Sequence, residues 1–326
     1  MKTLQFTKLI APLALMVLAT SCSLDNSGKS TPSPRNINNN VAAPVCQTCN
    51  SEWTYTEPAP YVALPGTAWE IAETDSGFPH ILSNDGPSEA HGARIYYRNA
   101  NYASNTDPWI YAPSPGAVYI ASGGQKIWIV TDQGLLYSGF ASSWTQFTSN
   151  NQPTFSAAAT SGDESRLFAL GTTNIPGGHP VYLYDQSSNS WSQVGTQGGV
   201  RIFVDNFGRP WIITDTGELY RSAGYGQTFS GWNSMARPNN SPVTDIAQYK
   251  SYNGPTPTIP VWSILVLSRP TLTSDENKSV LYWQAYPTTT AQTAWSNGLG
   301  GTGRRISDYI NISIISRDYR IWLRPM

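Results

Sequence analysis

Charge is scarce in this chain. Charged residues make up 13% of its 326 positions, against roughly 25% in an ordinary soluble domain. The two signs nearly cancel, with 20 Lys plus Arg against 21 Asp plus Glu. No basic field is left to hold a phosphate backbone, which excludes nucleic acid as a partner. Histidine is limited to His80, His91 and His179. None stands at an HxH or HxxxH spacing, so nothing marks a metal site, and no cofactor is expected. There is no nucleophile elbow, no phosphate-cradling glycine loop and no HExxH. The chain therefore reads as a binding protein rather than an enzyme. A run of about 20 apolar residues, enough to span a bilayer, is also missing. The longest apolar stretch is Leu9 to Ala19.

That stretch follows Lys2 and Lys8 and has the length of a signal-peptide core. It closes on Ala19-Thr20-Ser21-Cys22, which resembles the lipobox of bacterial lipoproteins. The resemblance implies that residues 1–21 are a signal peptide and that Cys22 becomes an acylated N-terminus carrying palmitate-type chains. Each buried methylene of such chains contributes about 0.8 kcal/mol, so several chains hold firmly. Ser23 after the cysteine implies delivery to the outer membrane of the cell envelope. An ordinary secretory signal that contains a cysteine is the alternative. Residues 22–50 (SGKSTPSPRNINNN and its flanks) have too few apolar groups to bury a core and read as a tether. Cys46 and Cys49 form a lone CxxC in it. In an oxidising compartment they are a local disulfide or two idle thiols.

Aromatic residues, by contrast, are abundant, with 12 Trp and 18 Tyr. Trp53, Trp109, Trp144, Trp191, Trp232 and Trp295 each stand in a similar short segment: SEWTYTE, DPWIYAP, SSWTQF, NSWSQV, SGWNSM, TAWSNG. Between them the same succession of apolar runs recurs, as in VRIFVDNFG, RPWIITDTG, ELYRS and SGWNSM. A second marker falls in step, an aliphatic-aromatic pair on the third run: Ile95-Tyr96, Leu136-Tyr137, Leu183-Tyr184, Leu219-Tyr220, Leu281-Tyr282 and Ile321-Trp322. A repeating unit of four strands predicts an all-β fold, a six-bladed β-propeller over residues 51–326. The last unit supplies only three strands before Met326, so SEWTYTE at 51–57 is expected to complete it and close the ring.

A residue at one fixed place in every unit points to packing, so the six repeat tryptophans are read as structural. Function is sought where the repeat breaks. The connection between the second and third strands is a tight turn in two units. It is long in three others: SNDGPSEAHGA, TTNIPGGHP and SRPTLTSDENK. These loops rim one face and carry Glu89, His91, His179, Asp275 and Glu276, the candidate ligand-binding residues.

KIWIVTDQGLLY…SSW and RPWIITDTGELY…SGW resemble the tectonin repeat. The resemblance covers about residues 51–326 and implies a non-enzymatic, lectin-like propeller. Ser222 to Phe229 is similar to the Asp box of sialidase-type propellers, with Gly224 where the aspartate stands. The expectation is a monomeric, lipid-anchored envelope protein recognising glycan through one face. An envelope scaffold or adhesin that binds a protein is the alternative, and a degenerate glycosidase a third reading.

Overall fold

In a computed structural model, the structure describes residues 62–326 apart from 75, 85–87, 99–107, 225–228, 253–259, 272–278, 286–294, 297–304, 309–311, 316–319 and 325–326. Among the described residues, twenty-two strands follow in chain order. The first eight are β1 (Val62–Glu73), β2 (Pro79–Ser83), β3 (Ala93–Tyr97), β4 (Ile110–Ala117), β5 (Tyr119–Gly123), β6 (Lys126–Val130), β7 (Leu136–Phe140) and β8 (Ser143–Gln146). The next eight are β9 (Phe155–Thr160), β10 (Leu167–Gly171), β11 (Val181–Asp185), β12 (Ser190–Gln193), β13 (Arg201–Val204), β14 (Pro210–Ile213), β15 (Leu219–Ser222) and β16 (Trp232–Met235). The last six are β17 (Val243–Tyr252), β18 (Pro260–Ser268), β19 (Val280–Ala285), β20 (Arg305–Asp308), β21 (Ile312–Ile315) and β22 (Arg320–Arg324).

Four sheets are built of chain neighbours paired antiparallel, in the order β5-β6-β7-β8, β9-β10-β11-β12, β13-β14-β15-β16 and β17-β18-β19. A bridge between Trp283 and Ser296 extends the last of these. The remaining strands make one seven-stranded sheet, β20-β21-β22-β1-β2-β3-β4. The first strand of each repeat unit lies innermost, and β1, β5, β9, β13, β17 and β20 adjoin one another in a closed cycle. The fold is an all-β propeller.

Two expectations are corrected here. Six blades were expected, and the structure has five sheets. The reason is β1, which pairs with β22 through Val62–Thr67 and with β2 through Ala68–Glu73. One continuous strand thereby joins the first and last repeat units into a single sheet. The closing strand is also not SEWTYTE. The edge of β22 is taken by Val62–Thr67, and residues 51–57, with Trp53, lie outside the described residues. Spacing carries the missed signal. Trp109, Trp191 and Trp295 each stand ten residues before Tyr119, Arg201 and Arg305, which open inner strands, whereas Trp53 stands seventeen before Glu70.

The middle strands are near-continuous apolar runs because a neighbouring sheet covers each of their faces. Every residue of β10 and β14 is buried, whereas outer β8 is largely exposed and outer β12 exposes two of its four residues. The core is accordingly a set of clusters between adjacent sheets. Trp144 packs on the cluster of Ile95, Ile120 and Ile129. Trp191 sits in the next one, with its ring centroid 4.6 Å from that of Phe155 and 6.0 Å from that of Phe147. Trp232 packs on the cluster of Phe168, Ile202 and Ile212. Trp295 packs on that of Trp211 and Val243 and donates its indole N–H to Ala236 O at 2.9 Å. Trp109 packs on Ala68, Ile71 and Ile81. Trp144, Trp191, Trp232 and Trp295 join clusters shared between their own sheet and the one before it, whereas Trp109 packs on β1 and β2 of the sheet that also holds β4.

The tight turns link one unit to the next. Gly134 and Gly217 sit at φ +74 and +75, a region glycine enters without penalty. Their carbonyls accept from Phe155 N (3.0 Å) and Val243 N (3.0 Å), each the first residue of the next inner strand.

His80 on β2 has no exposed surface. It stacks on Tyr97 at 5.6 Å, meets Phe140 of β7 edge-on at 5.3 Å, and places Nδ1 3.1 Å from Phe78 O. Nε2 is buried with no hydrogen-bond partner among the described residues. Burial pulls this imidazole down to about 4, against a partial rise from the Phe78 carbonyl. The fold thus favours neutral His80. Its contribution is complete above the unfolded value near 6.5 and is lost as pH falls towards 4. His80→Leu is expected to reduce the fall in urea-unfolding free energy between pH 7.5 and pH 5 by about 2 kcal/mol. An unchanged pH dependence would count against a neutral buried imidazole.

Candidate functional site

Every inner strand seen at its start carries one extra residue. The register slips at Ala68/Glu70 in β1, at Leu170/Gly171 opposite β9, and at Val243/Asp245 in β17. In β5 and β13 the same event shows in the hydrogen bonds. Val118 N and its neighbour Tyr119 both face Val130, and Val200 N and Arg201 both face Ile213. A bulge of this kind re-aims side chains. Here it turns one residue towards the axis and leaves the preceding one outside. The outer set includes Trp69 (48% exposed), Val118 (49%) and Val200 (41%).

The inner set includes Glu70, Tyr119, Arg201, Asp245 and Arg305, each from a different strand. Arg201 Nη2 lies 2.6 Å from Glu70 Oε1, and Arg305 Nε lies 2.8 Å from the same oxygen. Since β13 stands three places from β1 in the cycle, the Arg201–Glu70 bond crosses the axis. Arg201 Nε is 4.0 Å from Asp245 Oδ1, and Asp245 Oδ2 accepts the backbone N–H of Ile306 at 2.8 Å. The Arg201 guanidinium also sits 5.6 Å from the Tyr119 ring centroid. Burial pushes the Glu70 carboxyl up, but Arg201 and Arg305 outweigh it and hold Glu70 below its ordinary value. Asp245 goes the other way, because its burial exceeds the pull of the two arginines and Glu70 adds to it. Burial pushes the Tyr119 hydroxyl up to about 12. For Arg201, burial opposes the charge, and Glu70 and Asp245 more than offset that.

Two residues beyond Glu70, Tyr119 and Asp245 stand Ala72, Ala121 and Ala247, and β9 carries Ala159. Small side chains leave the axis unfilled, and a cavity of about 90 Å³ lies there. Arg201, Glu70 and Asp245 line one end; Asn206, Gly124 and Gly162 line the other, in the short turns that follow the inner strands.

The long connections sit at the end where the inner strands begin, since β2 ends opposite the start of that part of β1 which pairs with it. Glu89 accepts from Tyr111 Oη at 2.6 Å and from Arg94 Nε at 2.8 Å. The Tyr111 hydroxyl, with Arg94, holds this carboxyl below its usual range. His91 places Nδ1 3.3 Å from Asp132 Oδ1, while its carbonyl accepts from Asp132 N at 3.2 Å. His179 places Nδ1 3.0 Å from Thr173 O, and its backbone pairs with Gly199. Gly177 O in the same loop accepts from Asp215 N at 3.1 Å. Both loops therefore dock on the tight turn of the next unit. Glu89 and His91 share one loop and His179 belongs to another, two units on. Asp275 and Glu276 lie outside the described residues, as do Cys22, Cys46 and Cys49. No group of three or more His, Cys, Asp or Glu suited to a metal occurs among the described residues. Sequence reasoning missed the axial cluster and the exposed Trp69, Val118 and Val200.

No family model matches the chain, and no curated protein does. Solved structures with a similar fold include a YCF48 protein bound to a D1 peptide, at 12% identity and TM-score 0.48, covering 83% of this chain and 98% of that one. Another is an auxiliary nutrient binding protein from Bacteroides thetaiotaomicron, at 11% identity and TM-score 0.49, covering 80% and 69%. A third is the GH74 enzyme of Niastella koreensis, at 14% identity and TM-score 0.46. It matches 78% of this chain, which spans only 36% of the enzyme. At these identities and scores no functional argument rests on the likeness. The propeller is read from strand order and the closed inner cycle.

Removing one partner from a buried ion cluster leaves an uncompensated charge, which typically costs about 3–5 kcal/mol. Arg201→Leu is expected to lose an amount in that range in urea unfolding. A loss below about 1 kcal/mol would show that Arg201 behaves as a surface charge.

Proposed function

We propose that the protein is a lipid-anchored binding protein of the bacterial cell envelope that takes a glycan at the loop-rich face. The observation that carries the reading is Trp69, an indole 48% exposed at the rim of the axis. A soluble fold gains little by exposing an indole, whereas a sugar ring can stack on one. Tyr111 is exposed as well and joins Arg94 and Glu89, so a polar network adjoins an apolar ring. In this reading Glu89, His91 and His179, together with Asp275 and Glu276, make the polar contacts of the rim, and the protein binds without turnover. The six-unit repeat and its tectonin resemblance support a lectin-like role.

The signal-like residues 1–21 and the lipobox resemblance support acylation of Cys22, with residues 22–50 as the tether and the outer membrane as destination. Cys22→Ser is expected to abolish incorporation of labelled palmitate and to release the chain from the membrane fraction. Persistence of both would sink the anchor.

A second reading has its own observation. Val118 and Val200 are exposed aliphatics at the same bulge position, and apolar rims of that kind also suit a protein partner. Glycan-array binding by the full chain in detergent separates the two. A glycan ligand should be lost at least tenfold in Trp69→Ala, with unfolding unchanged. An array silent across diverse sugars, with an envelope protein captured by the wild type but not by Val118→Asp with Val200→Asp, would establish the partner reading instead.

A further inference from the structure

The axial cavity is independent of the loop-rich rim and has its own chemistry. Gln248 on β17 lines it and is 5% exposed. Its Oε1 accepts the backbone N–H of Asn206 at 2.7 Å, which fixes the orientation of the amide. Nε2 is left buried in the cavity wall with no hydrogen-bond partner among the described residues. An unmet buried donor of this kind is costly. A bound acceptor removes that cost.

The opposite end of the cavity carries two carboxylates and a guanidinium, with Arg305 completing the cluster. Formal charge there is balanced, two positive against two negative. An ionic ligand would bring an unpaired charge into a buried space, which is expensive. Hydroxyls bring none, and separate hydroxyls of one molecule can accept from Gln248 and donate to a carboxylate. Size sets the other bound. A single water needs about 10–15 Å³, and an engineered cavity of about 150 Å³ in another protein admits benzene. At about 90 Å³ this one fits a molecule of a few heavy atoms. Asn206 is exposed and Gly162 half-buried at the short-turn end, which gives a way in from the face opposite the rim.

We infer that the axis is a second binding site, open at the short-turn face, for a small uncharged polyol held by Gln248 Nε2 and the Arg201–Glu70 cluster.

Saturation-transfer NMR on the full chain in detergent tests this with glycerol and erythritol as probes, and acetate and inorganic phosphate as charged controls. Saturable polyol signals are expected, together with none from the anions. Gln248→Leu should weaken binding at least fivefold. Ala121→Leu, at a half-buried position, should block it by filling the cavity. Trp69→Ala should leave it unchanged, which separates this site from the rim. Absence of saturable polyol binding overturns the inference, whatever the glycan array shows. So does stronger binding of acetate or phosphate, or polyol binding unmoved by both cavity variants when each retains the wild-type melting temperature.

Discussion

The contact between Arg201 and Glu70 crosses the axis and constrains everything arranged around it. The chain has few charges, yet it brings four of them to one level of the axis, each from a different inner strand. Such a cluster is a weak source of stability, since apolar groups of equal volume often do as well. Its effect on register is larger. Side chains alternate along a strand, so a slip of one residue would carry Arg201 or Asp245 off the axis and strand its partners. An axis of valines would tolerate that slip, whereas the ion cluster penalises it on every strand that contributes.

The bulges tie this buried cluster to the outer surface. With one extra residue at the start of each inner strand described from its start, Arg201 can face inward while Val200 faces solvent, and Glu70 likewise with Trp69. The exposed rim and the axial cluster are two products of one backbone feature, and neither can be moved without the other. The loop carrying His91 and that carrying Gly177 each accept a backbone N–H from the next unit's turn, so the two loops brace neighbouring units while they shape the rim.

Much of the fold was legible because packing repeats. An indole on the outer strand and an aliphatic-aromatic pair on the third recur in order, and both markers reflect the need to fill the wedge between neighbouring sheets. Closure was misread for the same reason. Trp53 carries the marker, but the strand next to β22 is Val62–Thr67, and spacing rather than residue type distinguished them. The five-sheet count follows from β1 serving two partners, which no composition reveals. The axial cluster was invisible for another reason. Glu70 and Arg305 are 235 residues apart, and five of the six units supply one member each, a carboxylate, a guanidinium or a phenol, so no motif recurs. A faint trace survives as Glu-x-Ala at 70–72, Tyr-x-Ala at 119–121 and Asp-x-Ala at 245–247, a polar axial residue followed by a small one.

That trace separates the two ends of the molecule. A large side chain at the alanine positions would fill the axis and leave a solid hub. With alanine there, the ion cluster becomes the floor of a pocket instead of one layer in a packed stack. Because the cluster bridges the axis, a molecule at the rim and one in the cavity cannot touch, and their contacts draw on different residues. Effects at such separated positions add. An exposed indole at the rim suits a large ligand of repeated units, and a narrow pocket with one unmet donor suits a small one. On the two proposals, the same ring of strands would hold both without either determining the other's selectivity.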